Sequence, residues 1–78
     1  MTRAEWAKRI EAVRPKVGSR VEYAHPPDEA GVLGCVLAVG DGRDGWAAVV
    51  EWDEGSHRRS PEALGPEAVI VGLVTVLP

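Results

Sequence analysis

A chain of 78 residues with a single cysteine, Cys35, has room for one domain and cannot form an internal disulfide. Its two histidines, His25 and His57, lack metal-binding spacing, so no cofactor and no metal are expected and apolar packing must hold the fold. The net charge of −3 argues against a general nucleic-acid binder, but it averages over an asymmetry: residues 1–20 carry six basic and two acidic side chains, residues 21–78 three basic and ten acidic ones.

The first segment predicts a helix over residues 1–16. Thr2-Arg3-Ala4-Glu5 fits the S/T-x-x-E capping box, in which hydroxyl and carboxylate satisfy amides left free at a helix start. Trp6, Ile10 and Val13 follow on one narrow stripe, and Pro15 stops the run, with Arg14 and Lys16 suited to the negative end of the helix dipole. So short a helix is marginal alone and is expected to lay its stripe on the rest of the chain. The other use of that stripe is docking on a partner or a second copy, with Arg3, Arg9 and Arg14 as flanking charges.

From Val17 onward the pattern changes to short strands broken by Gly, Pro and Asp. Val17–Tyr23 alternates, and the two prolines of His25–Gly31 mark a loop. Val32–Val39 is almost wholly apolar, which predicts burial on both faces or strong curvature, with Gly34 as the bend or bulge. Cys35 inside this run reads as a small buried hydrophobe rather than a nucleophile. Gly40–Gly45 predicts a hairpin; its G-x-G-x-x-G spelling lies between strands, with no helix N-terminus to meet a phosphate. Trp46–Trp52 alternates with Trp46, Ala48, Val50 and Trp52 on one face. Asp53–Ser56 turns the chain, His57–Ser60 reads as a short polar edge strand, Pro61–Glu67 as a connector with one helical turn, and Val69–Leu77 as a β-branched closing strand. The apolar runs fall short of the roughly twenty residues that span a bilayer. With no hydrophobic signal core and a lone thiol, a cytoplasmic, non-membrane protein is expected.

One helix and about five short strands predict a mainly β domain: a small five-stranded barrel over residues 17–78, closed because an open sheet would expose long edges. Gly18-x-Arg20-Val21, the Gly-rich strand ending Val36-Leu37-Ala38-Val39, Val49-Val50-Glu51-Trp52-Asp53-Glu54-Gly55 and Arg58-Arg59 together resemble an SH3-like barrel of Tudor-like or KOW-like type. The order of these pieces is similar to the C-terminal Tudor-like domains of some bacterial DNA helicases. The resemblance spans roughly residues 17–64 and implies a fold rather than a partner.

No constellation for catalysis stands out: the carboxylates sit in turns, and His57 beside Ser56 or Ser60 has no acid at triad-like placement, so a non-enzyme is expected. Tyr23, Trp46 and Trp52 are not expected to share a cation site. Trp46 and Trp52 lie on one strand face about 20 Å apart, and one is expected in the core, the other on the surface. The leading expectation is a small adaptor that makes protein–protein contacts through Trp6, His25, Asp28, Trp46, His57, Arg58 and Arg59, within a nucleic-acid-handling assembly. The second is direct nucleic-acid binding, if Arg3, Lys8, Arg9, Arg14, Lys16 and Arg20 merge with Arg58 and Arg59 into one basic patch. The third is a structural or accessory subunit of a phage or mobile element, self-associating through Trp6, Ile10 and Val13.

Overall fold

The computed structural model describes residues 2–24, 31–54 and 58–78. Helix α1 spans Arg3–Ala12, and the strands are β1 (Arg20–Tyr23), β2 (Val32–Gly42), β3 (Gly45–Trp52), β4 (Glu62–Leu64) and β5 (Val74–Val76), with helix α2 (Pro66–Ile70) between the last two. The protein is mainly β: the strands form one antiparallel sheet in the order β4-β3-β2-β1-β5. The helix begins where the sequence places it, with the Thr2 hydroxyl accepting from the Glu5 amide at 3.1 Å.

The core is built on β3. Alternation puts Trp46, Ala48, Val50 and Trp52 on one face, and all four are buried. Val21, Val36, Leu64 and Val74 complete the cluster, one from each of the other strands. Each buried valine contributes about 1.5–3 kcal/mol through the area it removes from water. With no disulfide available, this face holds the fold together.

Both tryptophans are interior, at 2% and 4% exposure, so neither is the surface ring that the sequence suggests. A second difference concerns β2. Its outer face is open, with Leu33 and Leu37 exposed, and the register slips between Val36 and Ala38 rather than at Gly34. The bulge therefore falls on Leu37, and a bulge sharpens the bend of a long strand. The hairpin from β2 into β3 is tighter than expected, with Arg43 and Asp44 alone as its loop.

The sheet is open rather than closed, since β4 and β5 are its two ends. Each is three residues long, and α2 lies between them in sequence, packing on β3 and β5. That helix replaces the first part of the single strand expected over Val69–Leu77. Pro66 supplies a fixed helical φ in the first turn, and Gly72, at φ 85°, ends the segment in a left-handed conformation. Local caps thus outweigh the β preference of Val69 and Ile70. The polar edge strand expected at His57–Ser60 also moves: the edge is β4, paired as Val50↔Glu62 and Ala48↔Leu64. Ser60 is used differently, its hydroxyl accepting from the Trp52 amide at 2.9 Å.

Helix α1 lies across the start of β3 and against α2. Ile10 and Val13 turn onto the chain's own fold: Val13 packs on the core, and the Ile10 methyl occupies the space where a Cβ on Gly45 would sit. The Trp46 indole N–H donates to the Ile10 carbonyl at 2.6 Å. Among the described residues, no helix is long and apolar enough to cross a membrane. Because Trp46 holds α1 through one hydrogen bond and its ring, Trp46→Phe is expected to lower stability by about 1–2 kcal/mol. Amides of α1 should exchange faster than those of β2 and β3, as chemical denaturation and hydrogen exchange by NMR can check.

Candidate binding surface

The end of the sheet away from α1 carries a cluster that sequence spacing does not announce. Tyr23 closes β1, Trp52 closes β3 and Glu62 opens β4. Their register partners Val74, Gly34 and Val50 are all interior, so the three side chains share the core-facing side at its rim. Gly34 on the intervening β2 makes the arrangement possible, because a Cβ there would stand 2.7 Å from the Trp52 ring and 2.9 Å from Val50. The Trp52 ring lies over this gap and meets the Tyr23 ring edge-on, with centroids 6.0 Å apart at 83°.

Arg58 fills the remaining side. Its guanidinium carbon is 3.6 Å from the Tyr23 ring centroid and 5.1 Å from that of Trp52. Its Nε and Nη2 donate to Glu62 Oε2 at 3.2 and 2.8 Å, and Nη2 also reaches Oε1. The Trp52 indole N–H donates to the same carboxylate at 2.9 Å. Glu62 therefore collects an indole and a guanidinium at once, and it stays 28% exposed while Arg58 stays 24% exposed. Chemically, the Tyr23 face and an acceptor fork, with the Trp52 ring alongside, are matched to a flat cation.

Half of the basic head is committed within the molecule. Arg14 pairs with Asp41 at the end of β2, with a second contact at 3.3 Å, and approaches Glu11 at 3.7 Å. Arg20 pairs with Asp53 at 2.8 Å. The hydrogen bond from Arg14 holds the Asp41 carboxyl below the usual aspartate range, and the positive charge adds to the effect. Arg9 lies over the Trp6 ring at 6.0 Å. Arg3, Lys8, Lys16 and Arg59 are exposed and form no ion pair among the described residues. Helix α1 meets β3 at its Trp46 end, whereas Arg58 sits at the Trp52 end. The charges of α1 and Arg14 thus stand at the opposite end of β3 from Arg58, while Arg20 reaches the Trp52 end and is paired there with Asp53.

Of the residues expected to meet a partner, Trp46 is buried and serves to anchor α1. Trp6 is 38% exposed beside a groove of about 580 Å³ that includes Asp44, Pro66 and Glu67. His25, Asp28 and His57 lie outside the described residues. Tyr23, Trp52 and Glu62 are the members of the rim that the sequence did not join to Arg58; Trp46 stays apart as expected, but Tyr23 and Trp52 do face one cation, the chain's own Arg58. The Arg58–Glu62 spacing was visible, but nothing in it indicates that the paired guanidinium lies on the Tyr23 ring. Compared with protein-family models, curated proteins and solved structures, the chain matches none of them.

Gly34→Ala is expected to destabilise the protein by about 1–3 kcal/mol through overpacking against Trp52. It should also displace the Trp52 indole N–H resonance, which denaturation and NMR would register together. For Asp41, whose folded pKa is depressed, the stabilising contribution is present above the unfolded value and is lost as pH falls through the folded one. The Tm gap between wild type and Asp41→Asn should therefore be open at neutral pH and close below about pH 4, as thermal melts across that range can test.

Proposed function

We propose that this chain is a small non-catalytic binding module, of SH3-like barrel type, that works by contact with another protein. The observation that carries this reading is the rim in which Tyr23, Arg58 and Glu62 stay partly exposed beside the buried Trp52 ring, at the end of β3 away from α1. Aromatic rings and arginine are the side chains that most often anchor protein contacts. Arg59 stands exposed next to this cluster in sequence, and Asp53 and Glu54 are exposed where β3 ends. The antiparallel order, with β5 returning beside β1 and a short helix before it, supports the barrel-type reading, though the sheet is open.

A second reading, direct contact with nucleic acid through the head, draws on Arg3, Lys8 and Lys16, which are exposed and form no ion pair among the described residues. It predicts affinity that falls steeply with salt. The two readings part in one experiment. Affinity capture from the host lysate, with nuclease and at high salt, should recover a specific protein with wild type and lose it with Arg59→Glu. Recovery that vanishes with nuclease alone, and depends on Lys8 and Lys16 rather than Arg59, would overturn the protein-binding reading in favour of the nucleic-acid one.

A further inference from the structure

The rim has a division of labour that suggests what it receives. Tyr23, Trp52 and Glu62 all belong to strands, where ladder hydrogen bonds fix the backbone. Arg58 belongs to the segment between β3 and β4 and lies outside both strands. The receiving groups are thus built into the sheet, while the group they receive is carried by a connection. Glu62 also keeps its acceptor fork without Arg58, because the Trp52 indole N–H still orients it from the core side.

We propose that Tyr23, Trp52 and Glu62 form a guanidinium site in which Arg58 is the resident occupant, exchanged for an arginine side chain of a partner protein. This rests on the binding-module reading and names the chemistry of the contact. The site uses both aspects of a guanidinium: its face lies on the Tyr23 ring at 3.6 Å, and its edge donates through Nε and Nη2 to Glu62. An ammonium has no face to stack and no paired donors on one edge, so lysine fits poorly. Both Arg58 and Glu62 keep about a quarter of their side chains exposed, so the pair is within reach of an incoming guanidinium. Self-occupancy then sets the affinity. An external arginine sees only the fraction of molecules in which Arg58 has left, so its apparent affinity falls by that fraction.

The test is a titration of the full chain with Gly-Arg-Gly-amide and, separately, Gly-Lys-Gly-amide, following the Trp52 indole N–H by NMR. Wild type should show a weak saturable shift with the arginine peptide. Arg58→Ala should bind that peptide at least about tenfold more tightly, because the competing occupant is gone. Arg58→Ala/Glu62→Gln should lose the gain, and the lysine peptide should shift none of the three. If Arg58→Ala does not fold, Arg58→Gln serves the same purpose, retaining the length of the side chain without its charge. Equal affinity in wild type and the Arg58 variant, no saturable shift in that variant, or an equal response to the lysine peptide would overturn the assignment. A captured protein partner that binds wild type, Arg58→Ala and Glu62→Gln alike would also overturn it, while leaving the binding-module reading standing.

Discussion

Everything in this fold is hung on the core-facing side of β3. That strand lies between β2 and β4, and its alternate residues Trp46, Ala48, Val50 and Trp52 supply half of the eight-residue core cluster among the described residues. A chain of this size has no disulfide to restrain its unfolded state, so losing a ring from this face removes a large share of what favours folding. The two rings at its ends are also where the strand reaches its surroundings. Trp46 donates to the Ile10 carbonyl and so attaches α1, and Trp52 donates to Glu62 and so orders the opposite rim. In both cases the ring is buried while its one polar atom finds an acceptor, which is the condition for placing tryptophan inside at little cost.

Charge follows the same logic of internal pairing. A basic head on an acidic body suggests a molecule that presents one sign to a partner. In the folded chain the two halves meet each other first: Arg14 with Asp41, Arg20 with Asp53. These exposed pairs are screened by water and salt, so they fix how α1 and the β1 entry sit more than they stabilise the whole. What remains outward-facing and unpaired in the head among the described residues, Arg3, Lys8 and Lys16, is a smaller positive set than the sequence count implies.

The two ends of the sheet consequently do different things. At the Trp46 end, α1 and α2 cover the core, and the amphipathic stripe that could have served a second copy is turned inward through Ile10 and Val13, leaving Trp6 at the margin. At the Trp52 end no helix intervenes among the described residues, and the core finishes in rings, a carboxylate and a guanidinium. The proposed function rests on that end because Tyr23, Arg58 and Glu62 there are partly exposed yet held by their neighbours, a combination suited to recognition without reordering.

Period and punctuation were enough for the sequence to determine the elements themselves. Thr2 and Glu5 mark a helix start, the two-residue alternation of Trp46–Trp52 marks a strand with one buried face, and Gly40–Gly45 marks a hairpin, because each depends on neighbours a few residues away. The C-terminal third was less legible. Its run of valine and isoleucine favours a strand, and only the caps at Pro66 and Gly72, acting with packing on β3 and β5, turn part of it into α2. The rim was legible only at Arg58. Tyr23 and Trp52 are far apart in sequence and on strands that are not neighbours, and they meet only because β2 runs between them and carries a glycine at the crossing. Local chemistry therefore decided most of the segments that are helix and strand, with packing needed for α2. The tertiary structure alone decided which side chains meet, because contact across a sheet depends on register and on the one position where a missing side chain leaves room.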